Sequence, residues 1–264
     1  MATQNKPHLM KFASWNVNSI RVRLPQVLDW LAVEQPDVLC LQETKVPDAE
    51  FPFEAFRGTG YEAIANGQRT YNGVAIVSRT QPENIVREIA AVDSEQKRVL
   101  AASYGSVRVV NVYVPNGSEV GSEKYAYKLG WFAGLKSWLR GELEQWERLV
   151  VLGDFNVAPD DRDVHDPEAW RGSVLVSDAE RTALRELVDL GLVDIFRNHE
   201  QPAESFSWWD YRAAAFRRNR GLRIDLILCS RSMVPRCRKS WIDKGPRQVE
   251  RPSDHAPVIA EFDD

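Results

Sequence analysis

The chain has 264 residues, 44% hydrophobic and 27% charged, with 9 Trp, 10 Phe and 7 Tyr, a composition that excludes a disordered or fibrous protein. No apolar run approaches the roughly 18 residues that a membrane helix needs, and the first residues show no cleavable leader, so a soluble cytoplasmic protein is expected. Cys40, Cys229 and Cys237 form no C-x-x-C pair, which argues against a disulfide framework and structural zinc, and a net charge of −4 means that any polyanion must be met by a local patch.

Residues 1–9 lack an apolar pattern and are expected to be a flexible extension ahead of a single domain, 10–264. A strand at 11–17 precedes a helix at 25–33, where Val27, Leu28 and Leu31 recur at helical spacing and Pro25 suits a first turn. Strands at 37–42 and 73–78 follow, then strands at 98–104 and 108–114 joined by the Gly105-Ser106 turn. A long amphipathic helix over 123–146 carries Phe132, Leu135, Leu139, Leu143 and Trp146 on one face. After a strand at 149–152 comes a helix at 178–190, opened by Ser177 with Glu180 three residues later and closed by Gly191. Strands at 205–209, 224–229 and 256–262 complete the chain. Strands outnumber helices and no repeat or linker divides the sequence, so the pattern predicts an α/β (α+β) domain of packed sheets with helices outside.

The chemistry gathers where polar residues end these strands, because a strand end fixes a side chain while the loop beyond it admits substrate. Asn16 ends the first strand, Glu43 follows the second, Tyr113 leads into Pro115-Asn116-Gly117, Asp154 and Asn156 follow 149–152, and Asp254-His255 introduces the last. Singly, each is an ordinary turn-former, loop acid or core histidine. Together they offer three carboxylates, amides, a phenol and an imidazole. That set suits hydrolysis of a phosphodiester with a hard cation, Mg²⁺ or Mn²⁺, on oxygen ligands. Neither a G-x-x-x-x-G-K-[ST] loop nor H-E-x-x-H is present. The densest basic run contains Arg212, Arg217, Arg218, Arg220 and Arg223 with no acid after Arg212. Read alone it is a solvated surface.

Gly153-Asp154-Phe155-Asn156, Leu41-Gln42-Glu43-Thr44-Lys45, Arg223-Ile224-Asp225 and Ser253-Asp254-His255-Ala256-Pro257 together resemble the exonuclease III family of abasic-site endonucleases, within the wider endonuclease/exonuclease/phosphatase superfamily. The Trp15–Asn18, Tyr113–Asn116 and Phe206–Tyr211 segments narrow the likeness, which spans 11–262 in motif order. The resemblance implies a four-layer αββα sandwich, DNase I-like, and a Mg²⁺-dependent DNA-repair nuclease. Its expected activities are cleavage 5′ to abasic sites, 3′–5′ exonuclease and removal of 3′ blocking groups. It implies a metal site of Glu43, Asn16, Asp154, Asn156 and Asp254, and catalytic roles for Tyr113, Asp154, Asn156, Asp225 and His255. Whether Asp154 or His255 takes the proton of the attacking water stays open. For substrate it implies Asn116 on phosphate, Trp208, Leu222 and Ile224 around a flipped sugar, and Arg212, Arg217, Arg218 and Arg220 on the backbone of double-stranded DNA, bound by a monomer. Glu119 and Val120 depart from a phosphate-binding loop, and Leu175 lies in a loop bordering the abasic pocket. Alternatives are a 3′-end phosphatase or exonuclease with little abasic cleavage, a phosphatase on other phosphate esters, and a DNA-binding module whose acids are structural.

Overall fold

Period-two alternation sets the architecture, because the central strands are apolar on both faces. The computed structural model describes residues 9–90, 92 and 95–264. Its strands are β1 (Leu9–Asn16), β2 (Val38–Gln42), β3 (Glu62–Asn66), β4 (Val74–Ser78), β5 (Glu83–Val86), β6 (Val99–Tyr104), β7 (Val107–Tyr113), β8 (Arg148–Asp154), β9 (Leu192–Asp194), β10 (Asp225–Ser230), β11 (Cys237–Ile242) and β12 (Val258–Asp263). Its helices are α1 (Ile20–Glu34), α2 (Phe53–Arg57), α3 (Glu123–Gln145), α4 (Pro167–Trp170) and α5 (Asp178–Val188). Along the strands, Phe12, Cys40, Val109, Val150, Leu152 and Ile227 enter one central core. Their neighbours Ala13, Trp15, Leu39 and Leu41 pack outward with residues of α1 and α2, and Val110, Val112, Val151 and Leu226 pack outward with α3 and α5. Alternate residues thus serve different layers, which yields helix, sheet, sheet, helix.

The two six-stranded sheets run β11-β12-β1-β2-β4-β3 and β5-β6-β7-β8-β10-β9. From β12 in one and β10 in the other, successive pairings are antiparallel, parallel, antiparallel, antiparallel in both. The sheets therefore repeat one pattern. Each has a parallel pair, β1 with β2 and β7 with β8, and the C-terminal ends of both pairs meet at one pole, where Asn16 hydrogen-bonds Asp154. β10 and β12 run antiparallel to β8 and β1, so Asp225 and the loop before β12 start at that same pole.

Four strands escaped the sequence pattern, and they are the four sheet edges, β3, β5, β9 and β11. An edge strand hides little surface, so its residues need not be apolar; β5 is mostly exposed. The expected strand at 205–209 is a correction: Ser207 and Trp208 both donate to the Leu222 carbonyl and Trp209 donates to Asp254, so the segment crosses between loops without a ladder. Pro25 is a second correction, lying inside α1 and not in its first turn. The helix begins early because Ser19 and Ile20 donate their backbone N–H groups to the carbonyls of Glu43 and Thr44. Pro25 is exposed, so water can serve the carbonyl its missing N–H frees. β1 already includes Leu9; the rest of the expected extension, 1–8, lies outside the described residues.

Gly153 lets the parallel pair β7/β8 close up immediately before Asp154. A Cβ there would lie 1.9 Å from the Val112 carbonyl oxygen, which belongs to a strand and cannot swing aside. Gly153→Ala is therefore expected to cost about 2 kcal/mol or more in urea unfolding. An unchanged midpoint would show that the strands can part here freely.

Candidate active site

Asp154 stands at the end of a central strand and is 1% exposed. A carboxylate buried so far needs donors, and two amides supply them. Asn16 Nδ2 donates to Asp154 Oδ2 at 2.9 Å and to Glu43 Oε1 at 2.9 Å, linking carboxylates from different sheets. Asn156 donates its backbone N–H to Asp154 Oδ1 at 2.9 Å and its side-chain amide to Oδ2 at 3.1 Å. Glu43 Oε2 faces the Lys45 ammonium at 2.9 Å. Glu43, Lys45 and Asn156 all hold left-handed backbones, φ 52°, 57° and 51°. Such conformations cost about 1 kcal/mol or more each outside glycine and gather where geometry serves chemistry.

His255 is also buried. Its Nδ1 lies 2.9 Å from Asp225 Oδ2, and its Nε2 lies 3.8 Å from Asp154 Oδ2. Asp225 is itself fixed by the Ser207 hydroxyl at 2.6 Å. Burial opposes the imidazolium, but Asp225 and Asp154 outweigh it and push His255 up to about 10. Burial dominates at Asp154 and pushes its carboxyl up to about 7, against the pull of His255. At Glu43 burial works against ionisation, yet Lys45 and the Asn16 hydrogen bond hold the carboxyl below its ordinary value. Burial, then Glu43, pushes the Tyr113 phenol well up. The pole thus carries a protonated imidazole, a readily ionised Glu43 and a carboxyl balanced near neutrality.

Of the residues expected at the site, Asn16, Glu43, Asp154, Asn156, Asp225 and His255 share this hydrogen-bonded cluster. Asn116 joins it by donating to Asn156 Oδ1 at 3.2 Å, and Tyr113 lies beside Asp154 in the paired strand. The members of the expected metal set are held in different ways. The Asn16 and Asn156 amides turn N–H towards Asp154, while their oxygens accept from Asn18 N–H and from Asn116. Asp254 is held by Asn18 and Trp208 at 3.0 Å each, and Asn18 and Lys45 link it to Glu43. Arg223 is corrected: it is buried between Asp163 and Asp194 and offers nothing to a surface partner. Arg217, Arg218 and Arg220 are exposed, as is Arg212, which pairs with Asp210. Leu222 and Ile224 sit in a small core with Leu175, and Trp208 packs against its edge.

Sequence reasoning gave no role to Lys45, Ser207 or Lys128. Lys128 is fully buried and donates to the carbonyls of Asn116 and Asn156 while pairing with Glu180. Its signal was available: Lys128 stands one turn before Phe132 on the apolar stripe of α3, where a charge needs a reason.

Residues 13–255 match the model of the endonuclease/exonuclease/phosphatase family. The chain belongs to that family. It is 37% identical to exodeoxyribonuclease III of Haemophilus influenzae, over 96% of this chain and all (100%) of that one. Among solved structures, a 3′ phosphatase, NExo, from Neisseria bound to a product DNA hairpin superposes with a TM-score of 0.94 at 47% identity, covering 96% of this chain and 99% of that one. An AP endonuclease from Archaeoglobus fulgidus gives 0.93 at 37%, covering 97% and 100%. The αββα fold and the reading as a DNA-repair nuclease stand as the sequence implied them.

Family members are metal-dependent, and this site fits a cation. Glu43 and Asp154 each offer a carboxylate oxygen, within 4.8 Å of one another and of a ring nitrogen of His255. The two carboxylates are hard oxygen donors, as Mg²⁺ requires, and Lys45 already supplies positive charge beside Glu43.

The raised Asp154 carboxyl has a thermodynamic consequence. A folded-state value above the unfolded one, about 3.9 for Asp, adds stability at low pH that is lost as pH rises through about 7. In EDTA, the melting temperature of the parent should therefore fall between about pH 5 and pH 8 more steeply than that of Asp154→Asn. Equal slopes in the two would contradict the burial of this charge.

Proposed function

We propose that the protein cleaves duplex DNA 5′ to abasic sites and clears blocked 3′ ends, as a 3′–5′ exonuclease and 3′ phosphatase, with Mg²⁺ or in its place Mn²⁺. The observation that carries this is the convergence of Glu43, Asp154 and His255, from three distant stretches of chain, within 4.8 Å beside an exposed arginine loop. Glu43 holds the cation, with Asp154 as the neighbouring carboxylate. When bound, the ion supplies charge to the phosphate oxygens and to the leaving oxygen.

The residues divide the proton chemistry. Asp225 at Nδ1 and Asp154 near Nε2 favour the protonated ring, so His255 serves as a donor to a non-bridging phosphate oxygen. Asp154, held by Asn16 and Asn156 beside the His255 ring, is the carboxylate placed to take a proton from the attacking water. Asp225 fixes His255 through Nδ1, Asn16 and Asn156 fix Asp154, and Tyr113 and Asn116 offer further donors to phosphate. Arg212, Arg217, Arg218 and Arg220 meet backbone phosphates without reading sequence, and the half-buried Trp208 borders the sugar site. Three free cysteines support a reducing compartment, and we take the protein as a cytoplasmic monomer.

A second reading, in which 3′-end work dominates and internal abasic cleavage is slight, is favoured by Leu175. This residue is 5% exposed and packs with Leu222 and Ile224, so the apolar space meant for a flipped sugar is filled by side chain. Its backbone, at φ 74°, is one a leucine adopts at a cost.

Products from an abasic duplex, a 3′-phosphate duplex and a soluble phosphomonoester, each with and without EDTA, distinguish the readings. Cleavage of both duplexes, abolished by EDTA, is expected, with Asp154→Asn and His255→Asn slower by about a hundredfold or more while still binding DNA. Release of 3′ phosphate with the abasic duplex intact selects the second reading. EDTA-insensitive binding without cleavage, or action on the soluble ester alone, sinks both.

A further inference from the structure

Arg247, outside the catalytic cluster, is a buried cation that forms no ion pair in contact among the described residues, although the Asp254 charge acts on it at longer range. It closes the short turn Gly245–Arg247 and is 6% exposed. Its Nη1 donates to the Ser253 carbonyl, and its Nε finds no hydrogen-bond partner among the described residues. The guanidinium carbon lies 4.9 Å from the Phe216 ring centre, 5.7 Å from Tyr211 and 5.8 Å from Trp209. Burying a guanidinium without a carboxylate is costly, and ring faces offset only part of that. Nothing in packing alone asks for an arginine here.

What the arginine grips explains it. Ser253 donates its hydroxyl to the Asn16 carbonyl at 2.6 Å and accepts the His255 backbone N–H at 3.2 Å. It is the joint between the end of β1 and the histidine loop. Trp209, one ring of the cage, donates its backbone N–H to the Asp254 carbonyl at 3.0 Å. Two cage rings, Tyr211 and Phe216, belong to the loop that carries Arg212, Arg217, Arg218 and Arg220. In that loop Ala213 and Ala214 hold left-handed backbones, φ 56° and 52°. A loop so bent depends on its side-chain anchors for its position.

We propose that Arg247 is a positioning residue: it fixes the Ser253 carbonyl, and through Ser253 the placement of His255, while its ring cage fastens the arginine loop to the same joint. The assignment rests on the role given to His255 above. A change of an ångström or less in the histidine acts on turnover, because the donor then misses the phosphate oxygen.

The test compares Arg247→Met and Arg247→Lys with His255→Asn as control, measuring turnover under saturating DNA, DNA affinity and melting temperature on a 3′-phosphate duplex. Arg247→Met is expected to lose about tenfold or more in turnover with affinity within about threefold of the parent. Arg247→Lys is expected to recover part of the loss, since an ammonium can still donate to Ser253 and lie against the rings. Parent-like turnover in a folded Arg247→Met, or a loss confined to affinity, overturns the assignment. If that variant does not fold, Arg247→Lys decides: turnover below the parent at unchanged affinity supports the assignment, and turnover equal to the parent overturns it. Normal turnover by His255→Asn would instead bring down the reading of the site itself.

Discussion

Asp154 puts a charge at the seam of two sheets, where water scarcely reaches it, and the surrounding structure is arranged to make that tolerable. Such a group must be met by donors and opposite charge or give up its ionisation. Each neighbour answers part of the requirement from a different element: Asn16 from β1, Asn156 from the turn after β8, and His255 from the loop before β12. The paired topology of the sheets delivers these ends to one pole. Gly153 permits the close approach of β7 that seats the carboxylate, and the left-handed backbones of Glu43, Lys45 and Asn156 bend the loops after β2 and β8 at this pole.

Around this centre, charges buried in pairs hold loops, and charges left exposed await a partner. Lys128 with Glu180 ties the loops of Asn116 and Asn156 to the N–H of Leu175. Arg223 with Asp163 and Asp194 fastens the approach to β10, which carries Asp225. Removing Glu180 would leave the buried Lys128 ammonium without its counter-charge, a loss of about 3–5 kcal/mol. The unburied arginines at 212, 217, 218 and 220 are the local basic patch that a chain of net charge −4 needs to approach DNA. Two populations of arginine thus stand side by side in one stretch of sequence, separated only by burial.

Most of the sandwich was legible in the sequence because its central strands are apolar on both faces, as in 37–42, 108–114 and 149–152. The edges were not, since residues such as those of β5 and β11 have one face in solvent and no pattern to show. The early start of α1 was hidden because its first N–H groups find the carbonyls of Glu43 and Thr44, a tertiary contact that no capping residue signals. At the site, the polar residues ending the strands were visible, and the resemblance supplied their grouping. What it could not supply was the direction each amide faces: Asn16 and Asn156 read as oxygen ligands and are hydrogen-bond donors to Asp154. Arg223 read as one of a basic run because charge in sequence says nothing of burial, and its partner Asp163 lies 60 residues away.

The account turns on a divalent cation occupying the gap bounded by Glu43 and Asp154. Crystals soaked in Mn²⁺ at neutral pH, with anomalous scattering collected at the manganese edge, locate that ion directly. The account predicts a peak within bonding distance of a Glu43 carboxylate oxygen and displacement of the Lys45 ammonium from it. A peak on another face of the molecule, or none at Glu43 under saturating Mn²⁺, would contradict it.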